Sequence, residues 1–206
     1  MRASTLISAL TAALALCAAS GAQAHAAGDW QFSLGAHTVA PASDNGLLAG
    51  GALAADVGND WRPTVTAEYF FSPNWGVEVL AALPFEHDIH LNGAAAGSTK
   101  HLPPTLSLQY HFDGEKVSPF VGAGMNYTVF FDEETAGPLA GTELSLDSSW
   151  GLAAHAGLDF AIGEGKWLRV DARWIDIDTE VKVNGVAVGT VNIDPMVYGA
   201  AFVWTF

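Results

Sequence analysis

One short segment limits the possible folds of this chain most, because its apolar and polar side chains alternate without exception. Residues 168–174 read Leu-Arg-Val-Asp-Ala-Arg-Trp, so Arg169, Asp171 and Arg173 share one face of an extended strand. Helical spacing fits the segment less well. If the apolar face contacts lipid, a shift by one residue exposes all three charges, at about 2–4 kcal/mol each near the bilayer midplane.

The same period of two recurs in eight segments bounded by Gly, Pro, Asn, Asp or Ser clusters. They cover residues 30–40, 61–71, 76–88, 103–112, 117–131, 149–161, 167–178 and 190–206. The connections 72–75, 113–116 and 163–166 are tight, whereas 41–60, 89–102, 132–148 and 179–189 are longer. This alternation predicts an all-β fold, an eight-stranded antiparallel transmembrane β-barrel with short periplasmic turns and longer extracellular loops.

The two faces of the predicted strands differ in the way that a membrane barrel requires. One face carries no charge in any segment; in 76–88 it runs from Val77 through Leu83 to Phe85. The other face is polar or small, whereas a soluble barrel would have an apolar interior. Aromatic residues concentrate near the strand ends and predict a periplasmic girdle: Trp30, Tyr69, Phe71, Trp75, Tyr110, Phe112, Phe160, Trp204 and Phe206.

Residues 1–24 have the layout of a cleaved secretory signal peptide, which leaves 25–206 as the barrel domain. Arg2 provides the positive start, residues 6–19 are apolar, and 22–24 read Ala-Gln-Ala, a small-x-small cleavage site. The apolar run is too short to span a membrane as a helix, which needs about 20 residues. The single cysteine, Cys17, falls in this leader, so the barrel is expected to hold together without disulfides.

Composition narrows the class further. The formal net charge is −14, which makes nucleic acid an unsuitable partner. The chain is nevertheless 50% hydrophobic and only 15% charged, and no segment after the leader reaches 18 consecutive apolar residues. High hydropathy without a helical span leaves a barrel as the membrane option.

Several stretches carry a resemblance to a known family. They are residues 84–89, the proline-rich 102–112, and 119–128, 150–153, 171–179 and 192–206. In these stretches, which span nearly the whole chain after the leader, the sequence is similar to the OmpW family of outer-membrane proteins. The resemblance implies an outer-membrane barrel with a narrow, largely hydrophobic channel that admits small apolar molecules. The terminal Phe206 after alternating aromatics marks outer-membrane barrels generally and predicts an assembly signal for the barrel-assembly machinery.

Strand direction places two sets of residues at different heights of the lumen. A polar layer is expected in the periplasmic half: Glu68, Glu78, His155, Asp159, Arg169, Asp171 and Arg173. Above it lie the apolar Leu80, Pro84, Ile175 and Val197. We therefore expect a pocket that opens outward and is obstructed from below. The charges have an equally good structural interpretation as the polar core of a barrel just wide enough for side chains.

A charged layer would make an apolar ligand leave sideways, since desolvating those groups is costly. Pro103 and Pro104, with Pro84 and Pro195, could supply a lateral opening in the wall, because proline lacks the N–H that a strand ladder needs. The more ordinary interpretation is that these prolines end strands near loops.

Two groups of polar residues fall in the predicted loops. His87, His90 and His101, with Glu86 and Asp88, match no metal signature and are interpreted as solvated, so no metal or cofactor is expected. The acidic positions 176, 178 and 180 have the outward parity, which predicts that the strand has left the hydrocarbon there. They are expected to face lipopolysaccharide headgroups and bridging cations.

The leading functional hypothesis is a passive channel or carrier for small hydrophobic molecules. One alternative is a structural or surface-contact barrel that acts through its loops, for which residues 132–134, Asp-Glu-Glu, are the candidates. A lipid-modifying enzyme is the least favoured, since no histidine is followed by serine two residues on, although a triad can assemble in space. The sequence thus predicts a protein that is not an enzyme.

Overall fold

The computed structural model describes residues 25–206, so the predicted signal peptide lies outside the described residues. Its strands are β1 Trp30–Ala40, β2 Leu47–Leu48, β3 Leu53–Val57, β4 Asp60–Ser72, β5 Trp75–Ala82, β6 Phe85–Leu91, β7 Ala94–Leu102, β8 Thr105–His111, β9 Val117–Thr135, β10 Leu144–Leu146, β11 Ser149–Gly163, β12 Lys166–Ile175, β13 Asp178–Val183, β14 Val186–Asn192 and β15 Met196–Thr205. Two short 3-10 helices, Ala49–Gly51 and Gly137–Leu139, interrupt them. Within residues 25–206, no helix has the length and apolar character to cross a membrane.

Eight of these strands close into one antiparallel ring. Its order is β1, β4, β5, β8, β9, β11, β12 and β15, and β15 pairs again with β1. Every ring strand therefore has two hydrogen-bonded neighbours, so the ring contains no free edge strand. The eight-stranded barrel predicted from alternation is confirmed.

The tight turns and both ends of the described chain lie at one rim. Ser72 pairs with Trp75, and Gly163 pairs with Lys166, at the two tightest turns. At the same rim the Trp30 N–H donates to the Phe206 carbonyl at 3.0 Å, and the Phe206 N–H donates to the Trp30 carbonyl at 2.9 Å. The last residue of the chain thus closes the seam against the first strand.

The opposite, extracellular rim carries more regular structure than the sequence predicts. Residues 89–102 and 179–189 were expected as loops, but they belong largely to the hairpins β6–β7 and β13–β14. Strand β9 also continues to Thr135 and pairs with β7. Both hairpins turn at an Asn-Gly pair, Asn92-Gly93 and Asn184-Gly185, and residues 179–183 alternate in polarity, so the sequence contained hairpin signals that the loop interpretation overlooked. The longer extracellular connections are confirmed, yet most of their length is sheet.

One predicted strand, 76–88, is in fact two. Strand β5 ends at Ala82 and β6 begins at Phe85, because Pro84 has no N–H to continue the ladder. The break shifts the side-chain parity by one: Leu83 is 58% exposed, whereas Phe85 is only 2% exposed and faces inward. The outward placement of Phe85 was therefore wrong.

The outer surface of the ring is apolar over its whole height. Large exposed hydrophobic side chains cover it, including Phe32, Leu34, Val65, Leu106, Met125 and Leu152. A continuous apolar surface of this extent is a lipid-facing one. Exposed Trp61 and Trp150 mark its outer edge, and the outward residues of β6 and β7 beyond that edge include Glu86, Asp88 and Lys100. These two strands therefore extend beyond the hydrocarbon.

Candidate functional site

The lower half of the lumen holds a buried layer of ion pairs, which we call the charged layer: Glu68, Glu78, Asp159, Arg169, Asp171 and Arg173. Arg169 on β12 makes a two-pronged contact with Asp159 of β11, from Nε to Oδ1 and from Nη2 to Oδ2, both at 2.8 Å. Its Nη2 also donates to Gln31 Oε1 at 3.0 Å, and its Nη1 donates to Glu78 Oε2 at 3.3 Å. Such paired geometry compensates for much of the cost of burying charge.

Glu78 is shared between the two arginines. Its Oε1 accepts from Arg173 Nη1 at 2.7 Å, while its Oε2 accepts from Arg169 Nη1. Arg173 donates from Nε to Asp171 Oδ2 at 2.8 Å. The second oxygen of Asp171 lies 3.0 Å from His37 Nε2, and His37 Nδ1 lies 2.6 Å from Thr64 Oγ1. The network therefore connects five ring strands through their side chains.

The remaining predicted polar residues occupy the edge of this layer. Glu68 Oε1 lies 3.0 Å from His111 Nε2, and its other oxygen is 3.9 Å from Arg169. His155 Nε2 lies 2.9 Å from Gln109 Oε1, which makes it a hydrogen-bonding group of the lumen. All seven residues of the predicted polar layer are thus buried inside the barrel.

Below the charged layer an aromatic cluster seals the periplasmic end. His25 stacks on Phe70 with ring centroids 4.2 Å apart, and His111 stacks on Phe120 at 5.3 Å. The Arg169 guanidinium sits over the Phe120 ring at 4.3 Å, which joins the cluster to the charged layer. Sequence analysis missed this seal, because its rings come from three strands and the segment before β1, and no local pattern connects them.

A largely apolar cavity lies at the extracellular end, and we call it the outer cavity. It has a volume of about 200 Å³. Three polar residues, Thr99, His87 and His101, belong to its wall. The rest of the wall is apolar and consists of Leu48, Ala49, Leu53, Ala55, Val57, Ile89, Leu91, Phe130, Leu139, Leu144, Leu146, Val181, Val183, Val188, Val191 and Ile193. The hairpins at the extracellular rim supply most of these residues, so the sequence interpretation of that rim as loops concealed the cavity.

The apolar lumen residues predicted from sequence lie lower. Leu80, Ile175 and Val197 line a second space of about 20 Å³, the inner cavity, directly above the charged layer. Arg173 and His37 form part of its boundary. Pro84 was expected here but lines neither cavity, because the parity shift at this proline turns Phe85 inward instead.

His101 and Pro103 connect these spaces to the barrel wall. His101 lines both cavities, and Pro103 lines the inner one with Leu80 and Phe85 on the facing strands. Within the described residues, no backbone hydrogen bond crosses the wall between the Leu80–Thr105 pair and the Phe85–His101 pair. We call this interruption, bounded by residues 81–84 and 102–104, the wall gap.

Pro103 and Pro104 of the wall gap are held from one side only. Asn126 Nδ2 of β9 donates to the carbonyls of Pro103 and Pro104 at 3.0 and 3.2 Å, and the Tyr127 N–H donates to Pro104. On the other side, the Leu83 N–H is turned away and donates to Pro63 of β4. Strands β8 and β9 therefore stay joined at this height while the contact with β5 lacks backbone bonds.

The predicted loop histidines are placed differently from the expectation. His87 and His101 were interpreted as solvated, but each is only 1% exposed and faces the outer cavity. Glu86 and Asp88 alternate with His87 and point outward, so the five residues do not assemble. That correction follows from the parity shift at Pro84, which sequence alone did not indicate.

An acidic cluster lies on the outer surface above the hydrocarbon. Ligand atoms of Asp176, Asp178 and Asp194 lie within 4.8 Å of one another. Partial burial, with the charges of Asp194 and Asp176, raises the pKa of Asp178. Asp178 is exposed and Asp176 half-buried, whereas Ile177 between them is buried, which agrees with the outward parity expected for the two aspartates.

A closed eight-stranded ring with an apolar exterior, an aromatic-rimmed edge and a buried charged interior defines an outer-membrane β-barrel protein. The comparisons identify its family. The sequence model of the OmpW family matches residues 26–206, and the chain belongs to that family. Outer membrane protein W of Vibrio cholerae is 40% identical over 91% of this chain and 93% of its own length.

Other relatives have the same architecture. The crystal structure of the outer membrane protein OprG from Pseudomonas aeruginosa superposes with a TM-score of 0.79 at 34% identity, covering 90% of this chain and 99% of OprG. Outer membrane protein AlkL of Ectopseudomonas oleovorans is 33% identical over 86% of this chain and 83% of its own length. The protein is thus located in the outer membrane, in contact with its lipids.

Proposed function

We propose that this barrel is a passive channel or carrier for small hydrophobic molecules. The observation that carries the proposal is the outer cavity, which has about 200 Å³ of largely apolar space at the extracellular end. Binding sites for small molecules are typically concave and mostly apolar, with few polar groups. In this proposal entry is passive and follows the concentration gradient of the ligand.

The exit is sideways, into the bilayer. An apolar molecule that moved straight down would have to displace the charged layer and the aromatic cluster below it. A buried charge that is left without its partner costs about 3–5 kcal/mol. The wall gap offers a shorter path, because His101 of the outer cavity and Pro103 of the inner cavity both border it. The inner cavity, at about 20 Å³, is smaller than such a molecule, so the side chains around it must move apart during passage. Pro104, the second predicted residue of this opening, lies on the outer face of the same gap.

Two alternatives have less support. Thr64, His37 and Asp171 form a hydrogen-bonded chain like that of a hydrolase triad, but the adjoining inner cavity of about 20 Å³ holds little more than a water molecule. A surface-contact role through residues 132–134 is weakened because Asp132 pairs with Lys100 and Glu133 accepts from the Leu146 N–H. We therefore propose a protein that is not an enzyme.

Three further parts of the proposal concern biogenesis and surface partners. Phe206 is 75% exposed at the periplasmic rim, which suits recognition by the barrel-assembly machinery. The acidic surface cluster is proposed to bind lipopolysaccharide headgroups through bridging cations. Residues 1–24 are proposed to be removed on export. Mass spectrometry of the purified protein should then give a chain that starts at His25.

The test of transport uses cells whose lipopolysaccharide-covered outer membrane slows the entry of apolar solutes. Cells with and without the protein are compared for uptake of n-octane and of erythritol, a polar solute of similar size. The proposal expects the protein to accelerate octane uptake and to leave erythritol uptake unchanged. Equal acceleration of both solutes would indicate a general water-filled pore instead.

A further inference from the structure

One polar side chain that lines the outer cavity packs against its neighbours but makes no hydrogen bond to any described residue. His101 is 1% exposed, and neither of its ring nitrogens has a hydrogen-bond partner among the described residues. A buried polar group without a partner is unfavourable, and the large majority of such groups are satisfied. Two unpaired ring nitrogens in a cavity wall therefore point to a partner supplied by a ligand.

The neighbours of His101 hold its ring in place without using its nitrogens. His87 stacks against it with centroids 4.9 Å apart and ring planes 8° from parallel, and Phe85 stacks on it at 5.6 Å. His87 itself bonds through Nδ1 to the Gly58 carbonyl, while its Nε2 is also unpaired. Parallel rings cannot both aim an in-plane lone pair at one ion, so this pair is not a metal site.

The surroundings select a neutral ligand group. No Asp, Glu, Lys or Arg lines the outer cavity, so a charged group would lose its hydration without compensation. Burial, with the nearby His87, lowers the pKa of His101 to about 3, which leaves the ring neutral at physiological pH. A neutral imidazole offers one donor and one acceptor, which suits a hydroxyl group and, through its donor, a carbonyl.

We propose that His101 is a hydrogen-bonding anchor for amphiphilic ligands, whose apolar body fills the outer cavity and whose single neutral polar end, a hydroxyl or carbonyl, reaches the ring. This inference rests on the proposed function and names its substrate class. The size is set by the cavity: about 150 Å³ accommodates benzene, so about 200 Å³ accommodates a somewhat larger molecule. Because His101 also borders the inner cavity, the anchored end points toward the wall gap.

The test compares n-heptanol with n-octane, which have the same number of non-hydrogen atoms, at matched thermodynamic activity. The full barrel in lipid nanodiscs is titrated while NMR follows the ring nitrogens of its histidines and the methyl groups of Ile89 and Ile193. We expect heptanol to shift the His101 nitrogens and to bind about fivefold more tightly than octane, the value of one typical hydrogen bond. His101→Phe, which keeps the stacking, should remove that preference while octane binding persists.

The matched control is His90→Phe, since His90 lies on the same hairpin but outside the outer cavity. It should leave the preference unchanged. Equal affinity for the two solutes with unmoved His101 nitrogens overturns the inference and leaves the proposed function standing. A preference that survives in His101→Phe overturns the role of His101, whereas absence of binding by both solutes contradicts the proposed function itself. The nitrogen shifts of the unmodified barrel decide the matter even if His101→Phe fails to fold.

Discussion

Glu78 and Arg173 face each other across the full width of the barrel. Their strands, β5 and β12, are four positions apart in either direction around the ring, yet Glu78 Oε1 and Arg173 Nη1 are 2.7 Å apart. A direct contact between opposite strands leaves no free passage at that height. The same two side chains therefore cross-link the barrel and close its lumen.

Replacing Glu78 with Gln should destabilise the barrel strongly. Both arginines would lose a shared buried partner, and removing one member of a buried ion pair costs about 3–5 kcal/mol. Glu86→Gln is the control, because Glu86 is 47% exposed and lies 3.8 Å from Arg62, a pair worth about 0–1 kcal/mol. Urea unfolding in lipid vesicles, followed by tryptophan fluorescence, measures both. Similar midpoints for the two variants would show that the charged layer contributes little to stability.

The charged layer should also limit ion conduction. Alanine at both Arg169 and Arg173 removes the groups that join opposite walls, so folded protein of this variant should show a larger single-channel conductance in planar bilayers. Arg62→Ala is the control, since that arginine pairs with Asp60 near the extracellular rim. If the double variant folds and its conductance equals that of the unmodified barrel, the layer is only a polar core, the alternative that the sequence left open.

Glycine is required where the network crosses the lumen. At Gly199 of β15 an added Cβ would overlap the His37 ring, which bonds to Asp171. Gly199→Ala should therefore displace His37 and cost about 1–3 kcal/mol of stability. In Gly163→Ala the nearest atom to the new methyl group is Lys166 Cδ, 3.9 Å away, so this variant should leave the stability almost unchanged. Equal unfolding midpoints for both variants would mean that the His37 contact is dispensable.

Much of the barrel could be predicted from alternation, because lipid tolerates charge on only one face of a strand. The segment with Arg169, Asp171 and Arg173 fixed its own register in this way, and the structure buries all three. The same rule failed after Leu83, since periodicity cannot show that a proline inserts one residue and reverses the faces beyond it. Phe85 and His87 were misplaced for that reason.

The site itself was only half predictable. Sequence parity placed the charged residues inside but gave no partners, because pairs such as Glu78 and Arg173 depend on the curvature of a closed ring. The outer cavity depends on two hairpins that the sequence marked with Asn-Gly turns at 92–93 and 184–185, but their packing over the barrel mouth is a tertiary feature that no local pattern shows. His101, the key polar residue of this cavity, was interpreted as a loop residue because the residues next to it in sequence do not indicate a cavity wall.

The central claim is that ligands leave through the wall gap, and a reversible cross-link tests it most directly. Continuing the Leu80–Thr105 register by two residues places Ala82 opposite Pro103. Residues 25–206 contain no natural cysteine, so two introduced cysteines can pair only with each other. We predict that a disulfide between cysteines at positions 82 and 103 abolishes octane uptake and that a reductant restores it. The control pair, cysteines replacing Val121 and Ala156, joins β9 to β11 where the ladder is continuous, and it should have no effect. Undiminished octane uptake by fully cross-linked 82–103 protein would contradict the lateral route.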